Sequence, residues 1–190
     1  MTPRLLAFCG SSRSGSFNQT LLDLAVHGAL DAGAEVTALR LADYQLPIYD
    51  GDWEGEHGLP AAARVLQTLF REHDGLLIAT PDYNGGYTAL LKNTLDWLSR
   101  PDPKLPKAQP VFHCKIAALL SASPGHLGGI RSQQALHGVL HRLGVIVLPE
   151  AFALGSAHQA FDDDGELKDV QVDKAVRHVG AALARMATRT

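Results

Sequence analysis

The chain of 190 residues is poor in cysteine and carries little excess charge of either sign. It has 2 cysteines, which is too few for a disulfide-rich secreted scaffold. Cys9 and Cys114 both lie in apolar runs, so we expect buried, reduced thiols. The 17 basic and 20 acidic residues give a formal net charge of −3. This balance provides no basic surface for a nucleic-acid backbone or an anionic membrane, and neither partner is expected.

Long apolar runs are also missing. None approaches the roughly 18 residues that a membrane-spanning helix requires. The apolar stretch near the N-terminus is too short for a secretory signal peptide, so a cytoplasmic protein is expected. At about 100–200 residues per domain, the length predicts one domain over residues 1–190. A hydrophobic content of 46% is sufficient for a buried core.

Apolar runs alternate with helical patterns along the chain. The runs at residues 4–9, 34–41, 75–80, 116–120 and 145–148 predict strands, and the polar alternation of the second places it nearer an edge. Apolar stripes at helical spacing over residues 21–30, 61–70, 91–98, 136–143 and 172–186 predict helices. Buried strands joined by helices pair in parallel, because the crossovers cover both sheet faces. The predicted fold is α/β, a three-layer, doubly wound domain with a five-stranded parallel sheet.

Three loops leave the carboxyl ends of the predicted strands, at residues 10–18, 81–86 and 121–129. All three are rich in glycine and in hydroxyl or amide side chains. Ligands of doubly wound sheets bind beyond these strand ends. The three loops are therefore the predicted binding site.

The first loop, GSSRSGSFN, joins a strand to a helix N-terminus, where free N–H groups and the helix dipole attract an anion. Arg13 adds a guanidinium that suits phosphate oxygens. Helix capping alone would need one hydroxyl and no arginine, so phosphate binding is favoured. The loop lacks the lysine of a Walker A motif and the glycine pattern of a dinucleotide fingerprint, which disfavours nucleotide hydrolysis and pyrophosphate binding.

The second and third loops suit a flat ligand. The second, PDYNGGYT, supplies an aromatic ring, an amide and two glycines that allow close backbone approach. The third, SASPGHLGG, could donate backbone N–H groups to ring carbonyls. A tight turn would explain either loop alone, so the prediction depends on their coincidence at one end of the sheet.

Together these motifs resemble those of the NADPH-dependent FMN reductase family. GSSRSGSFNQTLL is similar to the family's GS-x-R-x-x-S-x-N signature, and PDYNGGYTALLKNTLDWLSR to its PEYN…LKNA-D-W-SR segment. SASPGHLGGIRSQQALHGVLHRLG resembles its third conserved stretch, and the likeness covers about residues 4–150. The resemblance implies a flavodoxin-like fold with sheet order 2-1-3-4-5, bound FMN and NAD(P)H as electron donor. It further implies a small acceptor, such as a quinone, free flavin, azo compound or oxidised metal anion, and a homodimer or homotetramer.

When the family's motifs are matched to this chain position by position, the resemblance also implies a set of cofactor-binding residues. No catalytic acid, base, nucleophile or metal ligand is assigned. In the first loop Ser11, Arg13, Ser16 and Asn18 would hold the FMN phosphate, and Phe17 also belongs to the set. The residues on one side of the flavin ring are Pro81, Asp82, Tyr83, Asn84 and Gly85; those on the other are Ser121, Ser123, Pro124 and Gly125. Asp82 replaces the family's usual glutamate and is one methylene shorter. Tyr87 stands where the family commonly has small residues, so we expect an altered substrate entrance.

The predicted function is an FMN-dependent NAD(P)H oxidoreductase. One alternative is a flavodoxin-type electron carrier, although such carriers are usually more acidic and lack the Leu-Lys-Asn…Asp-Trp helix. Another is a regulatory module that keeps the fold without flavin. A dimer interface near the flavin is expected on the helix from Lys92 to Arg100. Trp97 is expected to lie in it, with packing inside its own subunit as the alternative. Trp53 is expected either to cover a neighbouring subunit or the flavin, or to pack locally.

Two weaker patterns receive structural interpretations. His137 and His141 have the spacing of a helical metal pair, but no third ligand accompanies them and a polar helix face is expected. Residues 162–166 match a calcium loop only in part, so we expect an exposed turn between two short strands.

Overall fold

Strands and helices alternate along most of the chain. A computed structural model describes residues 1–105 and 107–188, so residues 106, 189 and 190 of the predicted domain lie outside the described part. The strands are β1 (Arg4–Cys9), β2 (Glu35–Arg40), β3 (Gly75–Ala79), β4 (Ile116–Ala122), β5 (Ile146–Val147) and β6 (Phe152–Leu154). The helices are α1 (Phe17–Asp31), α2 (Gly51–His57), α3 (Ala61–Glu72), α4 (Ala89–Leu98), α5 (Ile130–Arg142), α6 (Ala157–Ala160) and α7 (Val170–Ala187).

These strands form one parallel sheet in the order β2-β1-β3-β4-β5. The flavodoxin-like order and the edge position of the second strand are confirmed. Two short strands share the place next to β4. β5 pairs with the start of β4 at Ile116 and Ala117, and β6 pairs with its end. Pro149 lies between the two short strands and has no N–H to donate to a ladder.

Side chains of the central strands alternate between two cores, one on each face of the sheet. In β1, Leu5 and Ala7 belong to the core that α1 and α7 cover. Leu6 and Phe8 belong to the core on the opposite face, beneath α3, α4 and α5. This two-residue period is what a strand buried on both faces requires. The predicted three-layer arrangement is confirmed.

Aromatic residues around α2 form a small third cluster. Trp97 has no exposed surface, and its indole N–H donates to the carbonyl of Pro47 at 2.7 Å. Its ring meets Tyr49 edge-on at 5.1 Å and Trp53 edge-on at 5.7 Å. The predicted contribution of Trp97 to a dimer interface is wrong, because this ring is completely packed inside its own subunit. Trp53 has the local packing role that was one of its two expected roles.

The two cysteines differ. Cys9 is buried as predicted, but Cys114 is exposed and has a φ of 55° in the turn before β4. The prediction of a buried thiol at position 114 is wrong, because the apolar run around it bends at the surface before the strand begins.

The two weaker sequence patterns lie at the surface. His137 and His141 lie exposed on α5, and no group of three or more potential metal ligands occurs in the described part of the chain. Residues 162–166 form a turn that a single antiparallel bridge between Phe161 and Leu167 closes. Among the described residues, no helix is both long and apolar enough to cross a membrane.

Candidate active site

The three predicted loops follow β1, β3 and β4, which are neighbours in the sheet. Because these strands are parallel, the loops meet at one end of the sheet. Buried side chains join them directly. The Thr88 hydroxyl, before α4, donates to the carbonyl of Gly10 in the first loop at 2.7 Å. The Asn18 side chain, at the start of α1, bonds to the main chain of Ala122 at the end of β4.

The first loop leaves the N-terminus of α1 without a side-chain cap. Ser16 precedes the helix but makes no capping hydrogen bond. The N–H groups of Phe17 and Asn18 therefore have no acceptor among the described residues. The exposed Arg13 guanidinium likewise has no hydrogen-bond or ion-pair partner there. Free N–H groups beside an unpaired guanidinium are suited to a phosphate.

A surface pocket lies between this loop and the end of β2. Ser11, Arg13 and Arg40 are among its lining residues. The register of the sheet places Arg40 beside Cys9, at the start of the loop, and its Nε lies 3.9 Å from an exposed carboxylate oxygen of Asp43. Arg40 brings a second guanidinium to the pocket. The sequence pattern gave no reason to select it, because only strand pairing places it there.

Cys9 lies beneath the first loop. Its sulfur accepts the N–H of Ser11 at 3.4 Å. Burial raises the pKa of the Cys9 thiol from its ordinary value of 9.0 to about 11. The thiol is therefore protonated at neutral pH and supports the loop as a neutral group. A protonated thiol is a poor nucleophile.

The second loop is a tight hairpin turn. Tyr83 and Gly86 exchange backbone hydrogen bonds of 2.9 and 3.2 Å. Asn84 and Gly85 between them have φ values of 57° and 81°, the left-handed pair that a type I′ turn needs. The Asp82 carboxylate accepts the N–H of Gly85 at 2.8 Å. The shorter acidic side chain is thus used within the turn, while Tyr83 and Asn84 are exposed at its tip.

The third loop has an exposed rim and a buried base. Pro124 and Gly125 are exposed, and the half-buried Ser123 accepts the N–H of Gly125 at 3.2 Å. Ser121 has no exposed surface, and its hydroxyl donates to the carbonyl of Gly128 at 2.6 Å. Ser121 therefore shapes the loop from within, whereas the predicted residues at 123–125 lie where a ligand can reach them.

The first turn of α5 anchors both of these loops. Ser132 donates to the carbonyl of buried Pro81 at 2.9 Å. Gln133 donates to the Ser121 hydroxyl at 2.7 Å and to the carbonyl of Phe152 at 2.8 Å. Sequence reasoning missed these two anchors. The sequence did contain an indication of them, because Ser132 and Gln133 stand at positions that continue the apolar stripe of α5 toward its N-terminus.

The donors and surfaces of the site fit a cofactor with one terminal phosphate and a flat ring. The uncapped helix and Arg13 suit the phosphate. Tyr83 and the rim of the third loop can lie against a ring, and the N–H groups of Asn84 and His126 have no acceptor among the described residues. FMN has both features. The fold is a flavodoxin-like α/β fold, and the residues of this site fit FMN.

Comparison with known proteins identifies the family. The family model of NADPH-dependent FMN reductases matches residues 3–159, and the chain belongs to this family. It is 39% identical to an NAD(P)H-dependent FMN reductase of Pseudomonas aeruginosa, over 90% of this chain and 86% of that protein. It is 35% identical to an NAD(P)H:quinone oxidoreductase of Solanum tuberosum, over 98% and 93% of the two chains.

A solved structure agrees with these relatives. The flavoenzyme NAD(P)H:(acceptor) oxidoreductase FerB of Paracoccus denitrificans superposes with a TM-score of 0.81 at 26% identity, covering 99% of this chain and 98% of that one. The chain is an NAD(P)H-dependent flavin oxidoreductase with FMN as its cofactor, as the sequence predicted. The alternative of an electron carrier without this activity is not favoured. The FMN contacts of individual residues stay predictions.

Proposed function

We propose that the protein transfers hydride from NAD(P)H through FMN to a quinone, within one site formed by the three loops. The observation that carries this proposal is the uncapped start of α1 beside the unpaired Arg13, next to two loops that present a flat surface. FMN, when bound, supplies a ring that accepts hydride and passes electrons on, while the protein supplies binding and orientation. Relatives named as quinone oxidoreductases support a quinone as the acceptor.

In this proposal the first loop holds the phosphate. The N–H groups of Phe17 and Asn18 point along the axis of α1, where the helix dipole adds positive potential. Arg13 adds a full positive charge and the Ser11 hydroxyl a neutral donor. Arg40, which lines the same pocket, adds a second positive charge to the field. These groups bind the cofactor without taking part in hydride transfer.

The second and third loops orient the ring. Tyr83 is 50% exposed and offers an aromatic face to a planar ligand. The N–H groups of Asn84 and His126, which have no acceptor within the described residues, can donate to ring carbonyls. Asp82 is engaged with Gly85, so its carboxylate holds the turn and is not assigned to proton transfer. Tyr87 packs partly against the core beside α4, which places it next to this turn and supports a role in the entrance.

Steady-state kinetics test the proposal. With FMN-loaded protein, NADPH and 1,4-benzoquinone are varied against each other. Because donor and acceptor use the same site in turn, double-reciprocal plots should be parallel. Intersecting lines would contradict the shared site, and an absence of quinone reduction by protein that NADPH does reduce would contradict the choice of acceptor.

The same proposal includes one FMN-binding domain per chain, assembled as a homodimer in the cytoplasm, where NAD(P)H is available. The surface beside the second loop is suited to a second copy. Ile48 is 88% exposed there, next to Leu90, and Lys92 pairs with Asp96 at 2.7 Å. In a dimer with a two-fold axis, Lys92 of one copy can lie opposite Asp96 of the other, so that opposite charges meet.

Light scattering tests the assembly. We expect about twice the chain mass of 20.3 kDa, or about four times if dimers pair again. Ile48→Asp should give a monomer that still folds, because that side chain is almost fully exposed within the chain. Val170→Asp, at another apolar residue that is 61% exposed, is the matched control and should leave the mass unchanged. A monomeric wild-type protein at micromolar concentration would contradict this part of the proposal.

A further inference from the structure

The Asn18 side chain forms a two-way hydrogen bond across the site. Its Nδ2 donates to the carbonyl of Ala122 at 2.8 Å, and its Oδ1 accepts the N–H of Ala122 at 2.9 Å. Both bonds are buried, and Asn18 is only 6% exposed. The two residues are 104 positions apart in the chain. They connect the start of α1 with the strand end from which the third loop leaves.

This arrangement uses the Asn18 side chain for the protein itself. One donor and the acceptor oxygen of the amide are engaged with Ala122, and little of the residue is open to a ligand. The backbone N–H of Asn18 is in the opposite situation, since it has no acceptor among the described residues. A phosphate at the helix N-terminus would therefore meet the main chain of Asn18 and not its amide.

The position of Ala122 gives this bond a function. Its neighbour on the sheet is Leu154 of β6, and Ser123 immediately after it begins the exposed part of the third loop. The bond with Asn18 thus holds the phosphate side of the site at a set distance from the ring side. Such preorganisation strengthens binding because the ligand does not have to order the loops.

We infer that Asn18 is a positioning residue that joins the phosphate loop to the ring loop, and that its side chain does not contact the phosphate. This inference rests on the proposed FMN site. It differs from the role that family resemblance implies for Asn18. The two roles make different predictions for riboflavin, which has the ring of FMN but no phosphate.

The test compares the affinities of the apoprotein for FMN and riboflavin, measured by quenching of flavin fluorescence. In Asn18→Ala, both affinities should fall by the same factor, about 5- to 100-fold for two lost hydrogen bonds. The ratio of the two dissociation constants should stay within about threefold of the wild-type ratio. Asn18→Ser, which keeps a hydroxyl for one of the two bonds, should show a smaller but equally shared loss.

Arg13→Ala is the matched control, because it removes a group assigned to the phosphate. It should weaken FMN binding by roughly 10- to 150-fold and leave riboflavin binding unchanged, so that the ratio of the FMN to the riboflavin dissociation constant rises by the same factor. If Asn18→Ala behaved like Arg13→Ala, the inference would be overturned. Equal affinity of the wild-type protein for both flavins would instead refute the phosphate site of the proposed function.

A measurement on the wild-type protein covers the case in which the variants do not fold. Nuclear magnetic resonance can detect scalar coupling across a hydrogen bond, here between Nδ2 of Asn18 and the carbonyl carbon of Ala122. We expect this coupling in the apoprotein and in the FMN-loaded protein alike. Its loss on FMN binding, with coupling of the Asn18 amide to phosphorus, would overturn the inference.

Discussion

Helices α1 and α4 begin at the same end of the sheet, and each follows a serine or threonine, yet the two helix starts differ. At α4 the Thr88 hydroxyl accepts the N–H of Leu91 at 3.2 Å and donates to Gly10 at 2.7 Å. At α1 the Ser16 hydroxyl makes no cap, and the N–H groups of Phe17 and Asn18 have no acceptor in the described part of the chain. A hydroxyl side chain thus caps the start of α4, whereas the hydroxyl side chain before α1 leaves that helix start open to a ligand.

The largest effect is expected from Thr88→Val, which keeps the shape of the side chain but removes its hydroxyl. The variant leaves the buried carbonyl of Gly10 without its donor and α4 without its cap. The free energy of unfolding of the apoprotein should fall by about 2–4 kcal/mol. Urea unfolding measures it. A loss below about 0.5 kcal/mol would mean that Thr88 does not join the loops.

The thiol beneath the first loop predicts a loss of stability in alkali. The pKa of Cys9 is raised to about 11, so between pH 9 and pH 11 the unfolded chain releases this proton and the folded chain keeps it. The contribution of the neutral Cys9 thiol to the free energy of unfolding is complete below pH 9 and is lost as pH rises toward 11. The total loss is about 2–3 kcal/mol.

Chemical unfolding of wild type and Cys9→Ala across this pH range measures the difference. The wild type should lose more stability than the variant as pH rises. Cys114→Ala is the control, since Cys114 is exposed. An identical pH dependence in wild type and Cys9→Ala would contradict a buried, neutral thiol under the loop.

Arg13→Ala should act on the ligand and not on the fold. A charge-assisted contact with phosphate contributes about 1.5–3 kcal/mol, which corresponds to a loss of roughly 10- to 150-fold in FMN affinity. Stability of the apoprotein should not change, because the guanidinium has no partner among the described residues. FMN titration and urea unfolding of the same preparation separate the two effects. Unchanged FMN affinity would make Arg13 a solvated surface charge.

The smallest effect is expected from Ser16→Ala. Removing a helix cap usually costs about 1 kcal/mol, but Ser16 makes no capping bond, so apoprotein stability should change by less than about 0.5 kcal/mol. Asp169→Ala is the comparison, because the Asp169 carboxylate accepts the N–H groups of Gln171 and Val172 at the start of α7. Equal losses in the two variants would remove the difference between open and closed helix starts.

The sequence predicted the parallel sheet, its order and the three loops because these features follow local periodicity and motif resemblance. It did not predict how the loops are joined. The partners of Thr88 and Asn18 are 78 and 104 positions away, and no local pattern specifies them. The errors at Trp97 and Cys114 have the same origin, since the exposure of one side chain depends on which segments pack over it.

The most direct test of the account is reduction of the reconstituted protein without oxygen. Apoprotein is loaded with FMN, freed of unbound flavin and mixed with NADPH, and the flavin absorbance is followed. We expect NADPH to bleach the absorbance of the oxidised flavin and 1,4-benzoquinone to restore it. A protein that binds FMN but keeps it oxidised in the presence of NADPH and NADH would contradict the account.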